Sequence, residues 1–325
     1  MNTKAGPALI AALDDDIDRL LTAEPEVRED IPDSVHQMRV ATRRLRSVLR
    51  SYRKVLRRGL VDDMRTELHW LAGLLGVARD AEVRADRFAT LLEEQPPEHR
   101  DAAERLVTDE RAKYAAAHQE VLAALDGDRY AALHGRLADW HDRPPLRRRH
   151  LKDEAGTVFS GVLRDDFHRL QRLARTGTEL TGDERIEHLH EIRKGAKRLR
   201  YCAEAAVRVL DGPAEELADR AKHLQTVLGD HRDAVEAQEA IRSRAVVAAA
   251  RGADTSGYDE LAEIEADAAQ KALDEYPAAA AFLKHEYGSK ALRKTQRHKK
   301  SERHKKSERH KKSGRHKRSR RPGKK

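Results

Sequence analysis

Residues 34–58 read SVHQMRVATRRLRSVLRSYRKVLRR, with nine Lys/Arg and no acids, and this stretch decides the fold. At about 100° per residue, His36, Arg39, Arg43, Arg46, Arg50, Arg53 and Arg57 share one arc of roughly 100°. On the far side Met38, Ala41, Leu45, Val48, Leu49, Tyr52, Val55 and Leu56 make an apolar stripe suited to a bundle core. The pattern predicts one long helix with a packing face and a cationic face, with Asp33 or Ser34 as its N-cap. Solvated helix surfaces usually interleave acids with bases, whereas this face carries a single sign and repels itself unless something neutralises it. Arg44, Lys54 and Arg58 fall off the central arc and read as surface or rim residues.

A second copy, LHEIRKGAKRLRY, runs from Leu189 to Tyr201. A shift of 154 positions places His190 on His36, Arg193 on Arg39, Lys197 on Arg43, Arg198 on Arg44 and Arg200 on Arg46. Ile192, Leu199, Cys202, Ala203, Ala206 and Leu210 continue its apolar stripe. Lys194 and Arg198 fall off its cationic arc. Glu204 stands where the first copy has Arg50, so the second cationic face is shorter. After each copy comes a further matched pair, LLGVARDA at 74–81 and VLGDHRDA at 227–234, offset by 153. Each is expected to end a helix at Gly76 or Gly229 in the left-handed conformation and to place Arg-Asp near the start of the next helix. The aspartate reads as structural, favouring a helix N-terminus or pinning a cation, while Arg79 and Arg232 could reach an anion on the main basic face.

The His-x-x-Arg-x-x-x-Arg/Lys-Arg-Leu-Arg helix, the LG-x-x-Arg-Asp element after it and the recurrence of both about 150 residues later resemble the CHAD family, helical domains named for their histidines. The likeness spans roughly residues 8–289. It implies an all-α fold of two pseudo-symmetric antiparallel helical bundles with a basic channel between them. It also implies binding of inorganic polyphosphate rather than catalysis, and association with polyphosphate granules.

At 325 residues the chain can bury two cores of ordinary size. The organisation expected is an N-terminal bundle over 1–143, a C-terminal bundle over 144–289, and a disordered basic tail over 290–325. The high net charge belongs to the tail, which holds 19 Lys/Arg against two acids, or +17. The remaining 289 residues hold 46 against 54, or −8, so an anion site in the body must come from local clustering. No apolar run is long enough for a membrane span and the first residues lack a signal-peptide pattern, so the expected location is cytoplasmic. Cys202, the single cysteine, lies on the apolar phase of its helix and is expected to be a buried thiol.

Along the chain, helices are expected at 8–23, 34–58, 60–75, 79–94, 98–125 and 128–140. A break follows at Asp142-Arg143-Pro144-Pro145. In the second half they are expected at 150–175, 183–211, 213–229, 231–251 and 257–287, the last kinked or divided at Tyr276-Pro277. No stretch reads as a strand. From Arg297 to Arg320 the tail repeats RHKKSE-like hexads with no apolar residue to bury.

Polyphosphate carries about one negative charge per phosphate, so its receptor needs many fixed cations: arginine bridges phosphate oxygens with paired hydrogen bonds and lysine acts as a movable point charge. The principal site residues are His36, Arg39, Arg43, Arg46, Arg50, His190, Arg193, Lys197 and Arg200, with Arg79 and Arg232 secondary. The histidines add donors when protonated, or orient an arginine. Metal ligation is not expected: His188 and His190 lie about 200° apart on a helix, and the arginines around them would repel a cation. No cofactor is implied, and the catalytic motifs of nucleotide-binding, esterase and zinc-protease sites are absent. Glu263-Ile264-Glu265 is the nearest fragment to the alternating Glu/Lys strand of triphosphate-tunnel domains, but it lies in a helical stretch. The competing reading is nonspecific nucleic-acid binding through the tail. Base-stacking platforms are not apparent, since Tyr52 and Tyr201 lie near packing faces and Trp70 and Trp140 have no basic partner pattern.

Overall fold

The computed structural model describes residues 3–94, 100–150, 152–177 and 179–288. Within them the chain forms α1 (Ala5–Arg28), α2 (Ser34–Ser51), α3 (Arg58–Glu94), α4 (Arg100–Leu125), α5 (Asp128–Asp142), α6 (Ala155–Arg175), α7 (Gly182–Leu210), α8 (Gly212–Ala249) and α9 (Ser256–Ala279). Short 3-10 turns lie at Arg148–His150 and Ala281–Lys284. Among the described residues there is no strand, only isolated bridges between Lys4 and Glu154 and between Leu56 and Leu146. The fold is all-α, as expected. The repeat tail lies outside the described residues.

The apolar stripe of α2 forms because Val35, Met38, Ala41, Thr42, Leu45, Val48 and Leu49 recur at three- and four-residue spacing and are all buried. The matching stripe of α7 buries Leu189, Ile192, Ala196, Leu199, Cys202, Ala203 and Ala206. These helices are central: α2 packs on α1, α3 and α7, and α7 on α6 and α8. The pairs α3/α4 and α8/α9 pack as long hairpins. One apolar core joins residues from Leu9 to Leu283, and a second gathers Phe88, Leu91, Leu106, Ile241, Tyr258 and Leu261 at the far ends of the hairpins. Each core draws on residues on both sides of the Pro144-Pro145 break.

Several element boundaries differ from expectation. The helix beginning at Ser34 stops at Ser51 instead of running to Arg58. Tyr52 is fully buried, its ring 4.7 Å from that of Phe159. The backbone that follows turns back: Arg57 N donates to Pro145 O at 2.7 Å and Arg147 N to Val55 O at 3.0 Å. The Pro144-Pro145 segment thus supplies the hydrogen bonds a longer helix would have made. Gly76 and Gly229 do not break helices, for α3 and α8 run through them. Glycine costs about 1 kcal/mol in a helix interior, which the buried flanking residues Leu71, Leu75, Ala78, Leu224 and Leu228 outweigh. Helix α1 continues through Pro25 to Arg28, and α9 through Pro277 to Ala279. Asp33 is the N-cap of α2, but in a left-handed conformation (φ 66°) and with no side-chain capping bond. Its carboxylate accepts from Gln37 Nε2 at 2.6 Å instead.

Candidate anion-binding site

The site follows from how α2 meets α7. Cys202 Sγ lies 3.8 Å from Ser47 O, Arg44 of α2 is ion-paired with Glu204 of α7, and Arg50 of α2 faces Arg198 of α7. The two helices therefore cross near Ser47 and Cys202, with positions 44 and 204 together at one side of the crossing and 50 and 198 at the other. This register brings the predicted cationic faces together. Arg39 and Arg43 from α2 lie in electrostatic reach of Arg193 and Lys197 from α7.

Burial and like charge disturb the whole group. Burial pushes Lys197 down to about 6, helped by Arg43, Arg193 and Arg39 and opposed by Asp233, so its amine is largely neutral at pH 7. Burial first, then Arg39, Arg193 and Arg46, brings Arg43 down to about 10, so it keeps its charge at neutral pH. His190 is pushed to about 4 by burial, then by Arg232 and Lys194; His36 is lowered by burial, then by Arg79. Both shifts favour the neutral imidazole in the empty site. Their surroundings disfavour a second positive charge.

The two halves of the cluster share an unmet need. His36 Nδ1, His190 Nδ1, Arg39 Nε and Arg193 Nε are buried and have no hydrogen-bond partner. They are the same atoms at positions 154 apart. An unsatisfied buried polar atom costs about 1–3 kcal/mol, and four in one place point to a polar occupant. The glycines of the LG-x-x-Arg-Asp elements lie beside these arginines. A Cβ at Gly76 would sit 3.7 Å from Arg39 Nε, and one at Gly229 would sit 3.4 Å from an Arg193 terminal nitrogen. Each guanidinium lies over a glycine of a continuous helix, where a Cβ would make an ordinary contact.

Carboxylates hold the periphery. Arg39 pairs with Asp80 at 3.2 Å, Arg79 with Glu82 at 2.8 Å and Asp33 at 3.7 Å, and Arg232 with Glu236 at 2.6 Å. Of the two roles read for the Arg-Asp aspartate, Asp80 takes the second, pinning a cation. Asp233 is its equivalent near Arg193, its pKa raised by burial and lowered by Arg193 and Arg87.

Most of the predicted residues converge: His36, Arg39, Arg43, His190, Arg193 and Lys197 make the centre, with Arg79 beside His36 and Arg232 beside His190. Arg46 lies next along α2, close to Arg65, and Arg50 is exposed near the end of the helix. Arg200 is diverted: its Nε donates to Glu204 at 2.7 Å and a terminal nitrogen to Gln225 at 3.3 Å. Arg53 has left the arc with the end of α2 and pairs with Asp62. Arg44 is not a rim residue but an interior clamp joining Asp16 of α1 and Glu204 of α7. Trp70, which had no basic partner in the sequence pattern, carries Arg129 over its ring at 4.2 Å. Sequence reasoning missed Arg65 on α3 and Arg169 on α6, because each sits on a helix of mixed charge and joins the cluster only through packing. Among the described residues no group of three or more His, Cys, Asp or Glu side chains is placed to hold a metal ion. No helix of the described residues is long and apolar enough to cross a membrane.

Among the described residues, nine helices built around a crossing of two basic ones, with half-buried arginine, lysine and histidine at the crossing, define a helical-bundle protein with a cationic site between its helices. The chain belongs to the CHAD family: the family model for the CHAD domain matches residues 11–242. It is 36% identical over 294 residues to uncharacterized proteins of two Mycobacterium tuberculosis strains, CDC 1551 / Oshkosh and H37Rv. The alignment covers 88% of this chain and 54% of each relative, so the chain spans about half the length of these curated proteins. Among solved structures it is similar to PptA from Streptomyces chartreusis, with a TM-score of 0.71 at 18% identity, covering 85% of this chain and 99% of that one. It is also similar to the CHAD domain from the plant Ricinus communis, with a TM-score of 0.60 at 24% identity, covering 87% and 92%. At these identities the structural likeness is one of fold.

Proposed function

We propose that this protein binds inorganic polyphosphate in the basic channel where α2 and α7 cross and releases it unchanged. The observation that carries the reading is the convergence of half-buried Arg39, Arg43, Arg193 and Lys197 from two helices, with Arg39 Nε and Arg193 Nε buried and without a hydrogen-bond partner. Buried like charges destabilise an empty protein, and such groups persist where a function uses them. A linear polyanion fits better than a single small anion, because cations continue from the centre to Arg46 and Arg50 on one side and to Arg79 and Arg232 beside the histidines. The internal match at 154 residues is read as a duplication that supplies both walls of the channel, one from residues 1–143 and one from 144–289. Membership of the CHAD family, which is associated with polyphosphate, agrees with this reading. Cytoplasmic polyphosphate granules are the expected setting.

The test measures binding of long-chain polyphosphate together with any orthophosphate released. Changing Arg39, Arg43, Arg193 and Lys197 together to Gln is expected to remove the tight component, and no orthophosphate should appear with the unaltered protein. Undiminished tight binding by the altered protein refutes the reading. If the basic tail of residues 290–325 is instead the receptor, deleting it removes most of the affinity and DNA competes equally per phosphate.

A further inference from the structure

Ion pairs on the two sides of the α2–α7 crossing match, apart from one reversal. Beside α1, Arg19 pairs with Asp16 at 2.9 Å and Arg208 with Asp15 at 2.9 Å. Beside α6, Arg169 pairs with Asp166 at 3.5 Å and Lys54 with Asp165 at 3.2 Å. The reversal is Glu204 against Arg50. On the α1 side Glu204 takes both Arg44 and Arg200, so Arg19, Arg44 and Arg200 face Asp16 and Glu204 with one positive charge over. On the α6 side Arg50 replaces the acid, and Arg46, Arg50, Arg169 and Arg198 face Asp166, while Glu191 near Arg198 is already paired with Lys194, leaving three positive charges over. Among the described residues no carboxylate lies within ion-pair distance of Arg50.

The surplus has both a path and a place. Arg65 of α3 lies in electrostatic reach of Arg46 and of Arg50, and its buried Nε has no hydrogen-bond partner. Its only ion pair among the described residues is a long one, 3.5 Å to Asp62. Beside Arg50 a cleft of about 230 Å³ opens between α2 and α6, with Arg50, Arg58 and Arg169 on its wall and with Asp165 and Asp166, which Lys54, Ser51 and Arg169 engage. Its volume is below that of a typical drug-sized pocket and suits a short run of a charged polymer.

Taking the polyphosphate reading as its basis, we infer that, of the two ways past the α2–α7 crossing, one beside α1 and one beside α6, the bound chain takes only the one beside α6. It passes over Arg46 and Arg65 to a second anion seat formed by Arg50, Arg169 and Arg198, and Glu204 closes the matching exit beside α1. The seat assigns Arg65, Arg169 and Arg198 to the binding surface and gives the receptor a polarity that the near-repeat of its sequence conceals. It also separates ligands by length: a three-phosphate anion is held at the centre alone, whereas a long chain reaches the cleft.

Full-length protein is titrated with tripolyphosphate and with long-chain polyphosphate, for the unaltered chain and for Arg50→Gln, Arg169→Gln and Arg19→Gln, the last being the counterpart of Arg169 on the closed side. Arg50→Gln and Arg169→Gln are each expected to weaken long-chain binding about five- to tenfold, the loss of one charge-assisted contact, and to leave tripolyphosphate unchanged. Arg19→Gln should change neither. Arg43→Gln serves as reference and should weaken both ligands. If Arg43→Gln acts as expected but Arg169→Gln and Arg19→Gln behave alike, the one-sided exit is wrong and the central site stands. If Arg43→Gln leaves both ligands unaffected, the central site is wrong and the exit falls with it. Arg50 is exposed, so its replacement separates a lost seat from a lost fold, and thermal melting of each variant checks the fold directly.

Discussion

Raising the pH from 7.5 to 8.5 should weaken polyphosphate binding about tenfold, because one amine has to gain a proton before it can hold the ligand. Lys197 is pushed from 10.5 to about 6 in the empty site, so at pH 7.5 only about 3% of molecules carry charge there. Charging it against its surroundings costs about 6 kcal/mol at the usual conversion of a pKa shift. A bound polyanion pairs with the ammonium, offsetting both its burial and the repulsion from Arg43, Arg193 and Arg39, and the amine returns toward its ordinary value. Internal phosphates of the ligand are strong acids and stay ionised, so they do not offset the change. Binding at pH 7.5 should then take up about one proton per site. Calorimetric titration in buffers of different ionisation enthalpy measures that number from the slope of apparent against buffer enthalpy. Lys197→Met should abolish the uptake and flatten the pH dependence. An unaltered chain that binds with no proton uptake, or an uptake that survives Lys197→Met, refutes the argument.

The empty protein should become more stable as pH rises from 6 toward 10, since Lys197 binds fewer protons folded than unfolded across that window. Asp16, raised to about 6 by burial, acts in the opposite sense between about pH 4 and 6; denaturant melts at a series of pH values read both slopes. Arg43→Met should raise the melting temperature by a few degrees, about 1–2 kcal/mol, while weakening the ligand, as expected when a buried like charge is removed. Gly229→Ala should be neutral or stabilising by up to about 1 kcal/mol, because its new Cβ meets Arg193 at an ordinary contact distance of 3.4 Å. Gly229→Leu should instead displace that guanidinium and weaken polyphosphate binding, which titration beside a melting curve resolves. Arg87→Ala should cost about 3–5 kcal/mol in chemical unfolding, since it strands Glu265, which is 1% exposed and accepts from Arg87 Nε at 2.7 Å.

The helical class, the apolar stripes and the residues at the centre of the site were legible because each depends on one helix read at one period. Met38, Leu45 and Leu49 had to face inward for the same reason that Arg39 and Arg43 had to share the other side. What failed to show depends on neighbours remote in sequence. The end of α2 is set by hydrogen bonds from the Pro144-Pro145 segment, some 90 residues away in the chain. Continuity through Gly76 and Gly229 reflects packing around them, which overrides local propensity. Arg44 looked peripheral because its partners, Asp16 and Glu204, come from two other helices. The bias of the histidines toward the neutral form could not be foreseen either, since it follows from burial and from Arg79 and Arg232 brought in from α3 and α8.

The carboxylates that hold Arg39, Arg79 and Arg232 bear on release as well as on capture. When a phosphate departs from one of these arginines, Asp80, Glu82 or Glu236 is already in position to take its place. On the polyphosphate reading, a long polymer would be let go link by link at these three arginines, each vacated guanidinium handed back to an internal anion. Such hand-over favours quick exchange along the polymer and makes dissociation a series of small steps rather than one large barrier.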